Sequence, residues 1–270
     1  MEKFLEDNYE IFTGLYTALS RTKSSAKHAY DKIIEAQKQY FLNHQNKVDS
    51  EEQNLTLELL NDAMHKFYLG AFALEQLWGV TNYLKFPNHR LPKKFNTPLT
   101  NQQSEITFVL AAIFDQSLFS WRSFIDYYMK YLLFFLTGDM KNNISIKKFR
   151  ISINKHINLH PDAIRVLEIK KYFEENVFSN TLGEGIKSWG DLLKELRDKT
   201  AHQKLIKPKL IKKTNSEGFE IQWPTIRGQN YSYLAQMGFE NPAYQMLLDL
   251  FPILYGFSWI TGPFKEGMFR

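Results

Sequence analysis

The feature that most constrains this chain is a run from Ser104 to Leu136 that has helical spacing and apolar residues on most of its sides. Phe108, Ile113, Phe114, Leu118, Phe119, Trp121, Ile125 and Leu132 are spread around the helix rather than confined to a single stripe. A helix apolar all round is stable in water only when neighbours cover it from several directions. The fold expected is therefore all-α, a helical bundle built around this run. Ser104 and Glu105 open it, and Gly138 stands where a helix C-terminus favours a left-handed residue. Asp115, Arg122 and Asp126, at i, i+7 and i+11, place one polar stripe along it. Such a stripe reads more simply as an internal salt bridge or a solvated edge than as a site.

The covering helices are visible on both sides of this run. Residues 2–45 read as helix, with a break expected near Ser20 to Ser25: Ile11, Leu15 and Leu19 recur at four-residue intervals, and Tyr30, Ile33, Ile34 and Phe41 continue the pattern. Asn43 to Asp49 is polar and suits a turn. Ser50 can cap the next helix, which carries Glu51 and Glu52 in its first turn and runs through Leu59, Met64, Phe67 and Leu77 to about Tyr83. Pro87, Pro92 and Pro98 then punctuate a basic loop with Lys85, Arg90, Lys93 and Lys94. This loop divides an N-terminal helical extension, 1–99, from a second helical part, 100–270.

Beyond Gly138, Ile144, Phe149 and Ile153 mark a short basic helix. Pro161 suits a first helical position, with Ile164, Leu167, Ile169 and Phe173 patterning the helix that follows. Gly183 and Gly185 break the chain. Lys209 to Lys213 and Phe219 to Trp223 read as two strands joined by Asn215 to Gly218, a small β-hairpin insertion near 208–224 that Pro224 ends. Asn241-Pro242 starts a last helix, with Tyr244, Leu247, Leu248, Phe251, Leu254 and Phe257 on its apolar face and Pro252 expected to kink it.

Composition removes several classes. An apolar content of 44% and an aromatic content of 15% are too high for a disordered chain. The absence of cysteine excludes disulfides, thiolate metal sites and thiol nucleophiles. Met1 to Asp7 carries acids where a signal peptide would be basic, and the most apolar window, Ile125 to Leu136, includes Asp126 and Lys130 and is too short to span a bilayer. A soluble, cytoplasmic protein without a membrane partner is expected. The net charge of +5 is compatible with a nucleic-acid partner and equally with a plain basic surface.

Chemistry-bearing residues meet an ordered scaffold in one stretch, Ser188 to His202. Trp189, Leu192, Leu193 and Leu196 form one helical face, and Arg197, Asp198 and His202 fall outside it. Asp198 and His202 are i, i+4 neighbours, within side-chain reach. In the last turn, the helix dipole and Asp198 both favour the imidazolium form of His202, which suits proton exchange near neutrality. Arg197 is a permanent cation whose planar fork matches phosphate oxygens. A proton carrier and an anion clamp are the parts needed for attack of a ribose 2′-OH on its phosphate. Arg21 with His28 and Arg150 with His156 have similar spacing but lack a neighbouring carboxylate on an amphipathic helix.

The stretch Leu196-Arg197-Asp198-Lys199-Thr200-Ala201-His202 resembles the signature of the HEPN superfamily (higher eukaryotes and prokaryotes nucleotide-binding), of the arginine–four residues–histidine ribonuclease type. Trp189, Leu192-Leu193 and the long aromatic helix upstream are similar to that arrangement. The resemblance covers about residues 100–260 and leaves the N-terminal helices and the hairpin as additions. It implies a metal-independent endoribonuclease needing no cofactor, with Arg197, Asp198 and His202 catalytic and RNA as substrate. A single chain offers one convincing histidine where cleavage needs an acid and a base, so a homodimer with a composite site is expected. The resemblance also allows a toxin or phage-defence role and a cognate antitoxin. Lys199, Lys204, Lys207 and Lys209 are candidate RNA contacts, although lysines on a hairpin also guard against edge pairing. The competing reading is a non-catalytic nucleotide-binding, RNA-binding or protein-interaction module. A metal-dependent hydrolase is disfavoured because no ligand cluster is evident in the sequence.

Overall fold

The computed structural model describes residues 9–44, 49–85, 99–140, 144–178, 188–202, 206–213, 219–226, 229–230 and 239–256. Within these segments side chains are described except for 9–25, 82, 83, 85, 99–105, 202, 225, 226, 229 and 230. Three long helices come first: α1 (Tyr9–Asn43), α2 (Ser50–Lys85) and α3 (Leu99–Thr137). Shorter helices follow: α4 (Ile146–Leu159), α5 (Ile164–Tyr172), α6 (Trp189–His202) and α7 (Glu240–Tyr255). Strands β1 (Lys209–Lys212) and β2 (Phe219–Gln222) form the expected antiparallel hairpin, pairing Leu210 with Ile221. A second, two-residue pair, β3 (Thr225–Ile226) with β4 (Gln229–Asn230), follows.

The bundle closes around α3, as its all-round apolarity requires. Leu110, Phe114, Leu118, Trp121, Phe124, Ile125, Tyr128 and Tyr131 are buried along it. Helix α2 packs along α3 and α1 along α2, while α4, α6 and β1 also meet α3. At Gly70 α2 lies close against α3, where an added Cβ would stand 2.7 Å from the Trp121 indole. The Phe67 ring stands edge-on to both Trp121 and Phe124, an arrangement favoured by the ring quadrupoles. The last helix returns to the first through a buried polar contact: the Tyr131 hydroxyl donates to Gln37 Oε1 at 2.6 Å and lies 3.0 Å from the Tyr255 hydroxyl. In β2 and just beyond, Phe219, Ile221 and Trp223 alternate inward, with Trp223 5.1 Å from Phe114. The hairpin therefore lies on the bundle through one face, as period-two patterning dictates.

Several local expectations shift. Helix α1 runs unbroken through Ser20 to Ser25, because serine and threonine lower helix propensity only slightly without glycine or proline. Its expected first residues, 2–8, lie outside the described residues, as does the proline-marked boundary loop. The cap of α2 is Asp49, whose Oδ1 accepts from Glu51 N at 3.1 Å, with Ser50 already helical. Helix α3 begins at Leu99, five residues before Ser104, because nothing in 99–103 breaks a helix. Pro161 does not start α5: His160 to Ala163 form a tight turn, Ala163 is the N-cap, and proline suits the turn equally well. In α5 the buried face is Val166 and Ile169, continued by Phe173, while Ile164 is 68% exposed. One π-helical turn, Phe173–Val177, follows α5 directly. Helix α7 continues through Pro252 to Tyr255 and ends at Gly256 with φ +79°. As expected, Gly138 is left-handed (φ +68°) and closes α3.

Candidate functional site

Helix α6 is positioned at its N-terminal end and along its apolar face. The Ser188 hydroxyl donates to Asp191 Oδ2 at 2.7 Å, and Ser188 O accepts from Leu192 N, fixing the first turn. Leu193 and Leu196 are fully buried, whereas Trp189 and Leu192 are partly so. Gly190 lies hard against the π turn, where an added Cβ would stand 2.5 Å from Val177 O. With the leucines inward, Arg197 comes to the side of α6 that meets α3.

Arg197 is held from two directions. Its Nη1 donates to Asp198 Oδ1 at 3.0 Å, and its guanidinium carbon lies 5.4 Å from the centre of the Phe119 ring. Stacking on an aromatic face and a carboxylate on one edge restrict the fork without covering it; the side chain remains 36% exposed. Its Nε is buried and has no hydrogen-bond partner among the described residues.

The stripe on α3 stands beside this arginine. Arg122 Nη2 donates to Asp126 Oδ1 at 2.7 Å, so the internal salt bridge anticipated from spacing is present. Its Nη1 is buried and, like Arg197 Nε, lacks a partner. Burial pushes the Asp126 carboxyl up from 3.8 to about 6, and the charges of Arg122 and Arg197 only partly offset this. The ion pair alone would hold the carboxyl low; partial removal from water outweighs it. The cluster is therefore Arg197 and Asp198 from α6 with Phe119, Arg122 and Asp126 from α3.

The side chain of His202 lies outside the described residues; its backbone is the last residue of α6, one helical turn after Asp198. Lys199 is exposed on α6 and Lys209 at the start of β1. Lys207 is exposed with its Nζ 5.9 Å from the centre of the Phe108 ring, three turns before Phe119 on α3. Lys204 lies outside the described residues. Arg150, from the similar spacing set aside in the sequence, donates to Phe178 O at 3.0 Å and serves the packing of α4. Its companion His156 lies with its ring centre 4.7 Å from that of His160, the two planes tilted by 42°.

Sequence reasoning missed the membership of Phe119, Arg122 and Asp126. The signal was present: an arginine and a carboxylate at i, i+4 in an otherwise apolar helix must be paired or shared with a neighbouring element. Which neighbour it was depended on packing. Among the described residues no group of three or more histidine, aspartate or glutamate side chains is placed to hold a metal ion, and no helix is long and apolar enough to cross a membrane. Compared with protein-family models, with curated proteins and with solved structures, the chain matched none.

Proposed function

We propose that this chain is a metal-independent endoribonuclease of HEPN type that acts as a homodimer. The observation that carries the reading is the held, partly exposed guanidinium of Arg197, on the helix that ends at His202. A guanidinium already restricted by Phe119 and Asp198 gives up little rotamer freedom when a phosphate arrives, and its charge is directed at the oxygens that become more negative during cleavage. His202 exchanges the proton and Asp198 orients Arg197. Lys199, Lys204, Lys207 and Lys209 extend the cationic surface along which an RNA backbone is held. A toxin or phage-defence role with a cognate antitoxin is the biological setting in which such an activity fits.

The test is incubation of purified protein with labelled RNA in excess chelator. Cleavage leaving 2′,3′-cyclic phosphate ends is expected, falling by about 10²–10⁴-fold in His202→Ala and Arg197→Ala with unchanged circular dichroism. RNA binding without turnover would instead establish the non-catalytic binding module. Full activity in both variants, or activity only after divalent metal is restored, refutes the reading.

A further inference from the structure

We propose that Asp126, on α3, is a proton-transfer residue of the site built around Arg197, with Arg122 as its positioning residue. The proposal rests on the ribonuclease reading and deepens it, because it adds a carboxyl to the arginine and histidine of that site.

The geometry supports this in three ways. First, Arg122 fixes only one carboxyl oxygen: Oδ1 takes its Nη2 at 2.7 Å, and Oδ2 has no hydrogen bond among the described residues. Second, the Asp126 side chain is 32% exposed, so the carboxyl is open to solvent. Third, the Phe119 ring beneath Arg197 lies about two helical turns before Asp126 on the same helix, and Arg122 stands between them, so phosphate clamp and carboxyl lie along one face of α3. Two guanidinium groups here each leave a buried N–H without a partner among the described residues.

The charged groups around Asp126 are Arg122 and Lys130 on its own helix and Arg197 and Asp198 on α6; Lys66 of α2 lies over Tyr127, the next residue. In the step proposed, the Asp126 carboxylate removes the proton from the ribose 2′-OH as that oxygen attacks phosphorus. The bond from phosphorus to the 5′-oxygen breaks, and the leaving oxygen takes a proton from the His202 imidazolium. The products are a 2′,3′-cyclic phosphate and a 5′-OH, after which proton exchange with water resets both groups. Burial tunes the carboxyl for this task, since a base near neutrality is both deprotonated in use and strong enough to accept a proton.

The experiment measures kcat and KM for RNA cleavage against pH in chelator, for wild type, Asp126→Asn and Asp126→Glu. A fall of about 10²–10⁴-fold in kcat with little change in KM is expected for Asp126→Asn, together with loss of an acid limb near pH 6. Asp126→Glu should recover part of the rate with the limb displaced, and this arm also serves if the amide variant does not fold. Wild-type kcat and an unaltered acid limb in either variant, while His202→Ala is inactive, overturn the role of Asp126 and leave the ribonuclease reading standing. No cleavage by wild type ends both. A mixture of Asp126→Asn with Arg197→Ala should stay inactive, because both groups belong to one protomer. Recovery of about a quarter of the wild-type rate would place them on opposite protomers of a dimer and refute the proposal.

Discussion

Replacement of Gly190 by alanine tests the seating of the motif helix. Alanine is ordinarily better in a helix by up to about 1 kcal/mol, and less in a first turn, so propensity alone predicts a neutral or stabilised protein. The structure predicts the reverse. The added Cβ would stand 2.5 Å from Val177 O, 2.6 Å from Phe178 Cε1 and 2.9 Å from Val177 Cγ1. The nearest atom is backbone at the end of the π turn, whose exit is tied by Phe178 N donating to Phe173 O at 2.8 Å, so no flexible side chain can move aside. Overpacking of this kind costs about 1–3 kcal/mol, which outweighs the gain from propensity. At about 2–4 °C per kcal/mol for a chain of this size, a fall in Tm of several degrees is expected. Because α6 must slide away from the π turn, Arg197 moves relative to Phe119, and on the proposed ribonuclease reading RNA turnover should fall in step. Thermal and urea unfolding of Gly190→Ala beside Gly138→Ala provide the comparison. Gly138 has open space around its Cβ position and only its φ of +68° to strain, so it reports the backbone cost alone. If Gly190→Ala unfolds at or above the wild-type temperature, the packing of α6 on Val177 and Phe178 described above is wrong.

Two further outcomes follow from buried polar groups. Burial, reinforced by the charge of Glu75, pushes the Glu240 carboxyl up from 4.5 to about 7. A raised carboxyl contributes stability that is complete below its unfolded value and lost as pH rises through the folded one, so the loss falls between pH 4.5 and about 7. Glu240→Gln should therefore exceed wild type by on the order of 2 kcal/mol at about pH 8 and match it at about pH 4 in urea titrations; an equal advantage at both pH values would contradict the assignment. Tyr131→Phe removes the donor to Gln37 Oε1 and leaves that buried oxygen to the Tyr255 hydroxyl at 3.3 Å. A loss of about 1–3 kcal/mol is expected. In a double-mutant cycle with Tyr255→Phe the two effects should be non-additive, and strict additivity would show that the three groups do not act together.

The long central helix, the helices that cover it, the hairpin and the orientation of α6 are legible from residue order alone. Each depends on periodicity, which local sequence carries: Leu193 and Leu196 had to face inward once α6 was a helix, and Phe219, Ile221 and Trp223 had to share a face once β2 was a strand. Helix ends were less legible, because Asp49 and Ser50, or Pro161 and Ala163, offer the backbone nearly equal choices that a turn elsewhere decides. The candidate site divides in the same way. Arg197 and Asp198 stand out because they are adjacent on one amphipathic helix. Phe119, Arg122 and Asp126 join them only through the packing of α6 on α3, between residues separated by more than 70 positions. Sequence determines which face each helix must hide; the raised Asp126 carboxyl and the ring beneath Arg197 exist only where two such faces meet, since burial and through-space charge are properties of neighbours brought together by folding.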